Sequence, residues 1–189
     1  AKSKLNGESL VKKNFEKAII LRPSLVYSID DSFTTKFLSM LNVLPIFPLY
    51  YNGLTKFSPI FVSDLTNIIS ELISKKNCSG IIECVGPEVL SFKEILEILL
   101  KSINKKRILF PMPLTMAKIV AFTIEKLMPN PIFTTDQLKL LKYDSVKSGI
   151  NKTNLDLNLM ANSKLLDEVM KYSYMWRDGG QFSNKIIQK

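Results

Sequence analysis

The sequence predicts an α/β protein built around a parallel β-sheet. A helical pattern opens the chain and is followed by a short apolar run, residues 18–23, which a proline closes. A second apolar run of the same form, residues 80–87, ends in Gly-Pro. Continuous apolar runs of this length are typical of strands buried on both faces, and helices between them favour a parallel sheet.

The composition is that of a globular domain and excludes several kinds of catalytic site. The 189 residues are 46% hydrophobic and 23% charged, and none is His. Ser-His-Asp triads, Cys-His dyads and His-ligated zinc therefore cannot form from this chain. The two cysteines, Cys78 and Cys84, lie in or beside apolar runs and indicate reduced thiols in a cytosol-like compartment. No apolar stretch reaches the roughly 18 to 20 residues of a transmembrane helix.

The net charge of +9 comes mainly from lysine. Of the 26 basic residues only Arg22, Arg107 and Arg177 are arginine, which leaves 23 lysines. Phosphate and base recognition favour the planar guanidinium of arginine. We therefore predict a solvated lysine surface and no nucleic-acid partner.

Residues 1–61 predict two helices and one buried strand. Residues 1–15 have Leu5, Leu10, Val11 and Phe15 near one helical face, and because no N-cap precedes them we expect the chain to begin inside a helix. Residues 18–23 form the first strand. Helical spacing returns from Ser32 to about Leu41 and gives way to a proline-broken segment and a turn at Asn52-Gly53.

The second part of the chain is predicted to be mostly helical. Residues 58–62 read as a short strand, after which Ser63-Asp64 caps a helix that ends near Lys75. Asp64 is interpreted as a cap and loop anchor rather than as a catalytic carboxylate. Two capping boxes, Ser91 with Glu94 and Thr134 with Gln137, indicate further helix starts. An apolar run predicts a strand over residues 105–111, and helices are predicted over residues 113–128 and 163–172.

Four short motifs resemble a known superfamily. Lys4 on a helix is followed by residues 21–27 (Leu-Arg-Pro-Ser-Leu-Val-Tyr), 59–64 (Pro-Ile-Phe-Val-Ser-Asp) and 85–87 (Val-Gly-Pro). Their order and spacing resemble the extended short-chain dehydrogenase/reductase superfamily from its active-site helix onward.

Two further motifs narrow the resemblance to one branch of that superfamily. Residues 110–114 (Phe-Pro-Met-Pro-Leu) and 133–136 (Phe-Thr-Thr-Asp) join residues 18–24 and 59–64 in resembling the nucleotide-binding accessory subunit of respiratory complex I and its bacterial relatives. The resemblance covers roughly residues 1–144.

The resemblance implies a site at the nicotinamide end of NADP or NAD. In the superfamily a Tyr-x-x-x-Lys pair lies on this helix, and the match makes Lys4 the lysine that holds the ribose hydroxyls. The tyrosine position then falls immediately before Ala1; Lys2 is the alternative register. The loop formed by Pro23, Ser24, Leu25 and Val26 would lie along the nicotinamide. The Gly-x-Gly-x-x-Gly turn that cradles the phosphates is absent from this chain.

Pattern and resemblance together predict the C-terminal part of a doubly wound Rossmann-type parallel sheet with a smaller, mostly helical substrate-side lobe. Residues 1–30 and 62–90 are assigned to the dinucleotide-binding domain, and 31–61 and 91–172 to the lobe. Residues 173–189 are assigned to a tail, which we expect to be loosely ordered after Trp176.

Two functions follow from the resemblance. The first is an accessory or assembly component of the NADH:ubiquinone oxidoreductase, in which the bound nucleotide is mainly structural. Its expected partners are an N-terminal half of the same protein and complex I subunits, at the surface of the inner membrane. The alternative is an active NAD(P)-dependent reductase, epimerase or dehydratase that acts on a small or nucleotide-linked substrate.

Overall fold

The computed structural model describes residues 2–75, 78–113 and 139–183. Within these ranges the α-helices are α1 (Lys2–Asn14), α2 (Thr34–Val43), α3 (Val62–Ser74), α4 (Phe92–Ser102) and α5 (Leu165–Met170). The strands are β1 (Ile19–Pro23), β2 (Val26–Tyr27), β3 (Ile46–Leu49), β4 (Lys56–Phe57), β5 (Ile60–Phe61), β6 (Gly80–Cys84), β7 (Leu90–Ser91), β8 (Ile108–Pro111) and β9 (Lys152–Thr153). Single 3₁₀ turns cover Tyr50–Gly53, Leu155–Leu157 and Ser173–Trp176.

Strands β1, β6 and β9 form a three-stranded parallel sheet. Strand β6 pairs on one side with β1 and on the other with β9, both in parallel, so the predicted α/β class with a parallel sheet is confirmed. The register places Arg22 beside Glu83 and Pro23 beside Cys84. Strand β9 was not predicted, because two residues are too few to give a periodic signal.

One face of the sheet packs against α3. This helix follows β5 directly and buries Ile68 and Leu72 against Ile82 and Cys84 of β6. Both cysteines are free thiols, as the sequence predicted. The core between the sheet and α3 contains seven buried residues among those described: Ile60, Ile68, Leu72, Ile82, Cys84, Leu159 and Ala161.

A second, larger core joins α2, α4, α5 and the 3₁₀ turn at residues 173–176. Helix α4 begins with the predicted capping box, in which the Ser91 hydroxyl and the Glu94 carboxylate each accept the other residue's backbone N–H. Strands β3 and β8 form a parallel pair beside these helices, and β4 pairs with β7 in antiparallel orientation. This division into two cores resembles the predicted domain and lobe, whose boundaries remain a prediction.

The described part of the predicted tail belongs to the second core. Trp176 is buried and donates from its indole N–H to the Ser39 hydroxyl at 2.8 Å. The Phe182 ring lies 5.1 Å from the Trp176 ring, and the Asn42 amide donates to the Phe182 carbonyl at 2.8 Å. The prediction of a loosely ordered tail after Trp176 is therefore wrong for the described residues 177–183. The sequence did not indicate this packing, because polar residues and two glycines around position 180 separate Trp176 from Phe182.

Helix α1 forms as predicted, and Leu5 and Leu10 on it are exposed, at 58% and 60%. The predicted cap of the third helix is wrong. Helix α3 begins at Val62, so its N-cap residue is Phe61 and Asp64 lies inside the first turn. A strand-to-helix junction without a loop leaves no position for the predicted side-chain cap.

Two predicted elements lie largely or wholly outside the described residues. They are the apolar helix over residues 113–128, of which only Pro113 is described, and the capping box of Thr134 and Gln137. Among the residues that are described, no helix is long and apolar enough to cross a membrane.

Candidate functional site

A cavity of about 590 Å³ opens at the carboxyl end of β1. It lies between that strand end, helix α1, helix α2 and the segment around residue 143. Its volume is in the range of small-molecule and cofactor sites. The residues that line it are Lys4, Pro23, Ser24, Leu25, Ser32, Phe33, Lys36, Phe37, Met40, Phe57, Leu140, Leu141, Tyr143, Asp144 and Ser145.

The cavity brings together four of the five site residues that the resemblance implied. Lys4 reaches it from α1, and Pro23, Ser24 and Leu25 form its wall at the end of β1. Val26 lies apart from the cavity: it pairs with Ile60 in the β2–β5 ribbon and packs against the sheet core. The cofactor roles of all five residues remain predictions.

The loop after β1 is held by hydrogen bonds on both sides. The Ser24 backbone N–H donates to the Cys84 carbonyl at 3.0 Å, and the Leu25 carbonyl accepts the Ile60 N–H at 2.9 Å. The Ser24 hydroxyl donates to the Ser145 carbonyl and accepts the Ser58 N–H at 3.0 Å. Ser24 thus fixes the loop against two neighbouring segments, and its hydroxyl already has structural partners.

The third and fourth family-like motifs, residues 59–64 and 85–87, meet at Gly86. A Cβ at this position would lie 1.6 Å from the Pro59 carbonyl oxygen. The Gly86 N–H also donates to the Ser58 carbonyl at 3.2 Å. Only a residue without a side chain permits this approach, which brings the loop after β6 against the segment that enters β5.

Asp64 ties α3 to the segment that precedes α5. Its Oδ2 atom accepts the backbone N–H of Ser163 at 2.9 Å. The predicted role as a loop anchor is therefore correct, although the predicted role as a helix cap is not.

A buried carboxylate holds the chain beside the sheet. Glu83 accepts the backbone N–H of Ser148 at 2.7 Å, its hydroxyl at 2.6 Å and the Asn151 amide at 2.8 Å. Burial alone would raise the pKa of Glu83, but these hydrogen bonds and the charge of Arg22 outweigh it and hold the pKa below its usual value. Arg22 in turn donates from Nε to Glu8 of α1 at 3.1 Å. This network connects the site-bearing helix α1 with the sheet.

Three of the described tyrosines are unsuited to proton transfer at neutral pH. Burial raises the pKa of Tyr27, Tyr50 and Tyr172 above the ordinary value of a phenol. The Tyr27 hydroxyl donates to the Ser163 carbonyl at 3.1 Å, and that of Tyr172 lies 2.7 Å from the Thr34 hydroxyl. These tyrosines therefore serve packing rather than acid/base chemistry. Tyr143, which lines the cavity, is exposed.

Sequence reasoning missed five polar residues of the cavity, namely Ser32, Lys36, Tyr143, Asp144 and Ser145. Lys36 had one usable signal, since it lies beside Phe33 and Phe37 on the helical face that begins at Ser32. Residues 143–145 had none, because they reach the site through long-range contacts such as the Ser145 N–H donating to the Lys56 carbonyl at 2.7 Å. Among the described ranges no group of three acidic or cysteine side chains could hold a metal ion.

Comparison with known proteins identifies relatives in mitochondrial complex I. No protein-family model matches the chain. The chain is 25% identical over 189 residues to a protein of Dictyostelium discoideum named NADH dehydrogenase [ubiquinone] 1 alpha subcomplex subunit 9, mitochondrial. It is 27% identical over 159 residues to the mitochondrial NADH-ubiquinone oxidoreductase 40 kDa subunit of Neurospora crassa. The predicted resemblance to complex I accessory subunits is confirmed.

These alignments cover most of this chain but only part of each relative. They cover 98% and 83% of the chain, against 52% and 41% of the Dictyostelium and Neurospora proteins. The chain therefore spans about half the length of the curated relatives that it matches.

Solved structures identify the fold. The dTDP-4-dehydrorhamnose reductase of Bacillus anthracis, solved in complex with NADP, superposes with a TM-score of 0.58 at 17% identity. The match covers 92% of this chain and 54% of the reductase chain. The predicted fold class, part of a Rossmann-type α/β fold with a parallel sheet, is thereby confirmed.

Proposed function

We propose that the protein is an NAD(P)-binding accessory component of a respiratory NADH:ubiquinone oxidoreductase and that its nucleotide is bound mainly as a structural element. One observation carries the proposal: Lys4 and residues 23–25, which the resemblance implies for the nicotinamide end, line one cavity of about 590 Å³. Residues from two separate parts of the chain converge there.

The chemistry of these residues fits the nicotinamide half of the cofactor. The Lys4 ammonium has three donors and no acceptor, which suits the ribose hydroxyls. Pro23 and Leu25 offer apolar surface for the nicotinamide ring, and the hydrogen bonds of Ser24 keep that surface in place. In a redox enzyme the nicotinamide would supply hydride transfer; here the proposed role of this end of the nucleotide is to fill and rigidify the cavity.

The proposed partners follow from the names of the relatives. Both are named as subunits of the mitochondrial NADH:ubiquinone oxidoreductase or dehydrogenase. We propose that this protein assembles with the corresponding subunits at the inner membrane. We also propose that an N-terminal half with a glycine-rich turn supplies the pyrophosphate site.

The nucleotide site is tested by comparing Lys4→Met with Lys12→Met in the full-length protein. Both substitutions remove one charge from α1, but only Lys4 lines the cavity. NADPH and NADH are titrated while the fluorescence of the reduced nicotinamide is followed. We expect Lys4→Met to weaken binding at least about tenfold, the value of one hydrogen bond to a charged group, and Lys12→Met to leave it unchanged. Equal affinities for the two variants would refute the site.

The assembly is tested separately by purification from the native membrane. A tagged copy of the protein should co-purify with NADH:ubiquinone oxidoreductase activity after mild detergent extraction. Recovery of the tagged protein in fractions free of that activity would contradict the accessory role.

A further inference from the structure

We infer that the cavity also takes a second ligand, with an apolar body and an acidic group, and that Lys36 binds the acidic group. The inference rests on the proposed function, because it assigns Lys4 and residues 23–25 to the nucleotide and the lining residues of α2 to the second molecule. Lys36 and the other lining residues of α2 are outside the residues implied by the resemblance.

The part of the cavity lining that α2, Phe57 and Leu141 form is apolar and rigid. Helix α2 contributes Phe33, Phe37 and Met40, and Phe57 and Leu141 extend the same surface. The Phe33 ring lies 4.7 Å from that of Phe37 and 6.3 Å from that of Phe57. Phe37 and Met40 are also part of the second core, so the wall is fixed before any ligand arrives. Such a wall favours hydrocarbon or aromatic groups over a sugar.

Lys36 places a positive charge within this apolar surface. It occupies α2 between Phe33 and Phe37 and is only half-exposed. Among the described residues it makes no hydrogen bond and no ion pair. A comparable half-buried lysine, Lys105, contacts the Asn42 side chain at 2.6 Å and Asp178 at 3.0 Å. A cation partly removed from water is stabilised when an anion pairs with it, so Lys36 has an unused capacity to bind an acidic group.

The other charges around the cavity leave this capacity available. Asp144 lines the same cavity, and one of its carboxylate oxygens accepts the Lys56 backbone N–H at 2.8 Å. Lys4 adds a second positive charge from α1. The charged lining thus carries two cations and one anion, which favours a monoanionic ligand over a neutral or cationic one.

The test uses two probes that share a chain and differ in charge, decanoate and 1-decanol. Each is titrated by calorimetry into the full-length protein saturated with NADPH. Decanoate should bind more tightly than decanol. Lys36→Gln should weaken decanoate binding about tenfold, the loss of one charge-assisted hydrogen bond, and should leave decanol binding unchanged. Lys12→Gln, with the same loss of charge away from the cavity, should change neither.

A conservative variant separates ligand binding from folding. Lys36→Arg keeps the charge and should retain most of the affinity for decanoate that Lys36→Gln loses. If Lys36 only stabilised the fold, the Gln and Arg variants would bind decanoate equally well. Equal binding of decanoate and decanol, or equal effects of Lys36→Gln and Lys12→Gln, would overturn the inference. Displacement of decanoate by NADPH would also overturn it, since the two ligands would then share one site.

The nucleotide titration distinguishes failure of the proposed function from failure of this inference. If NADPH alone does not bind, the proposed function is wrong, and the comparison of decanoate with decanol at Lys36 still decides whether the cavity takes an acidic ligand. If NADPH binds and decanoate does not, only the second ligand is refuted.

Discussion

Glu83 offers the sharpest test of how the loop beside the sheet is held. Its Oε1 accepts the Ser148 hydroxyl at 2.6 Å and the Asn151 amide at 2.8 Å, while Oε2 accepts the Ser148 N–H at 2.7 Å. In Glu83→Gln the carbonyl oxygen can keep the first two bonds, but the amide then faces the Ser148 N–H and the charge is lost. We expect the free energy of unfolding to fall by about 1.5–3 kcal/mol, the value of one hydrogen bond to a charged group.

The effect of Glu83→Gln should depend on pH in a defined direction. The folded-state pKa of Glu83 is lowered from its ordinary value of 4.5. Its stabilising contribution is therefore complete above pH 4.5 and is lost as the pH falls through the lower folded-state pKa. Urea unfolding followed by circular dichroism should show the full difference at pH 7 and a shrinking one below pH 4.5.

The control for this prediction is Glu97→Gln. Glu97 is exposed and its oxygen lies 3.7 Å from the Lys93 ammonium, so the change should stay within about 0.5 kcal/mol. A Glu83→Gln effect no larger than that of the control at pH 7, or one that persists unchanged at pH 3, would refute the reasoning.

Three further substitutions and one control test the packing of the fold, each by thermal or urea unfolding. Gly86→Ala should destabilise the protein by about 3 kcal/mol or more, since the new Cβ would lie 1.6 Å from the Pro59 oxygen, whereas Gly7→Ala, with open space around it, should stabilise α1 by up to about 1 kcal/mol. Asn154→Ala should cost about 2–4 kcal/mol, because it leaves the buried Val85 N–H and two carbonyls without partners; a loss below 1 kcal/mol would contradict this role. Ser91→Ala should cost about 1 kcal/mol through loss of the capping box, and an unchanged stability would show that the cap is dispensable.

Elements with strong local signals could be predicted from the sequence. Strands β1 and β6 are short apolar runs closed by Pro23 and by Gly86-Pro87, and their parallel pairing follows from the helices between them. The α4 start follows from Ser91 and Glu94, whose capping box depends only on residues three apart. The Pro23 loop could be placed near Lys4 only through the resemblance, because no local rule brings α1 to the end of β1.

Long-range contacts account for what the sequence did not predict. Ser145 and Asp144 join the cavity because they pair with Lys56 and Ser24, partners about ninety or more residues away. Trp176 donates its indole N–H to Ser39 of α2, a partner 137 residues away in the sequence. Hydrophobic periodicity reports which face of an element is buried, not what covers it, so such contacts leave no signal in the local pattern.

The most direct test of the central claim follows the bound nucleotide over time. Full-length protein is saturated with NADPH or NADH, freed of excess nucleotide, and monitored by fluorescence and by absorbance of the reduced nicotinamide, with and without added carbonyl compounds or sugar nucleotides. The account predicts that reduced nucleotide stays bound and unoxidised for hours under every condition. Oxidation that begins when a substrate is added would contradict the structural role, and failure of either nucleotide to bind would contradict the site itself.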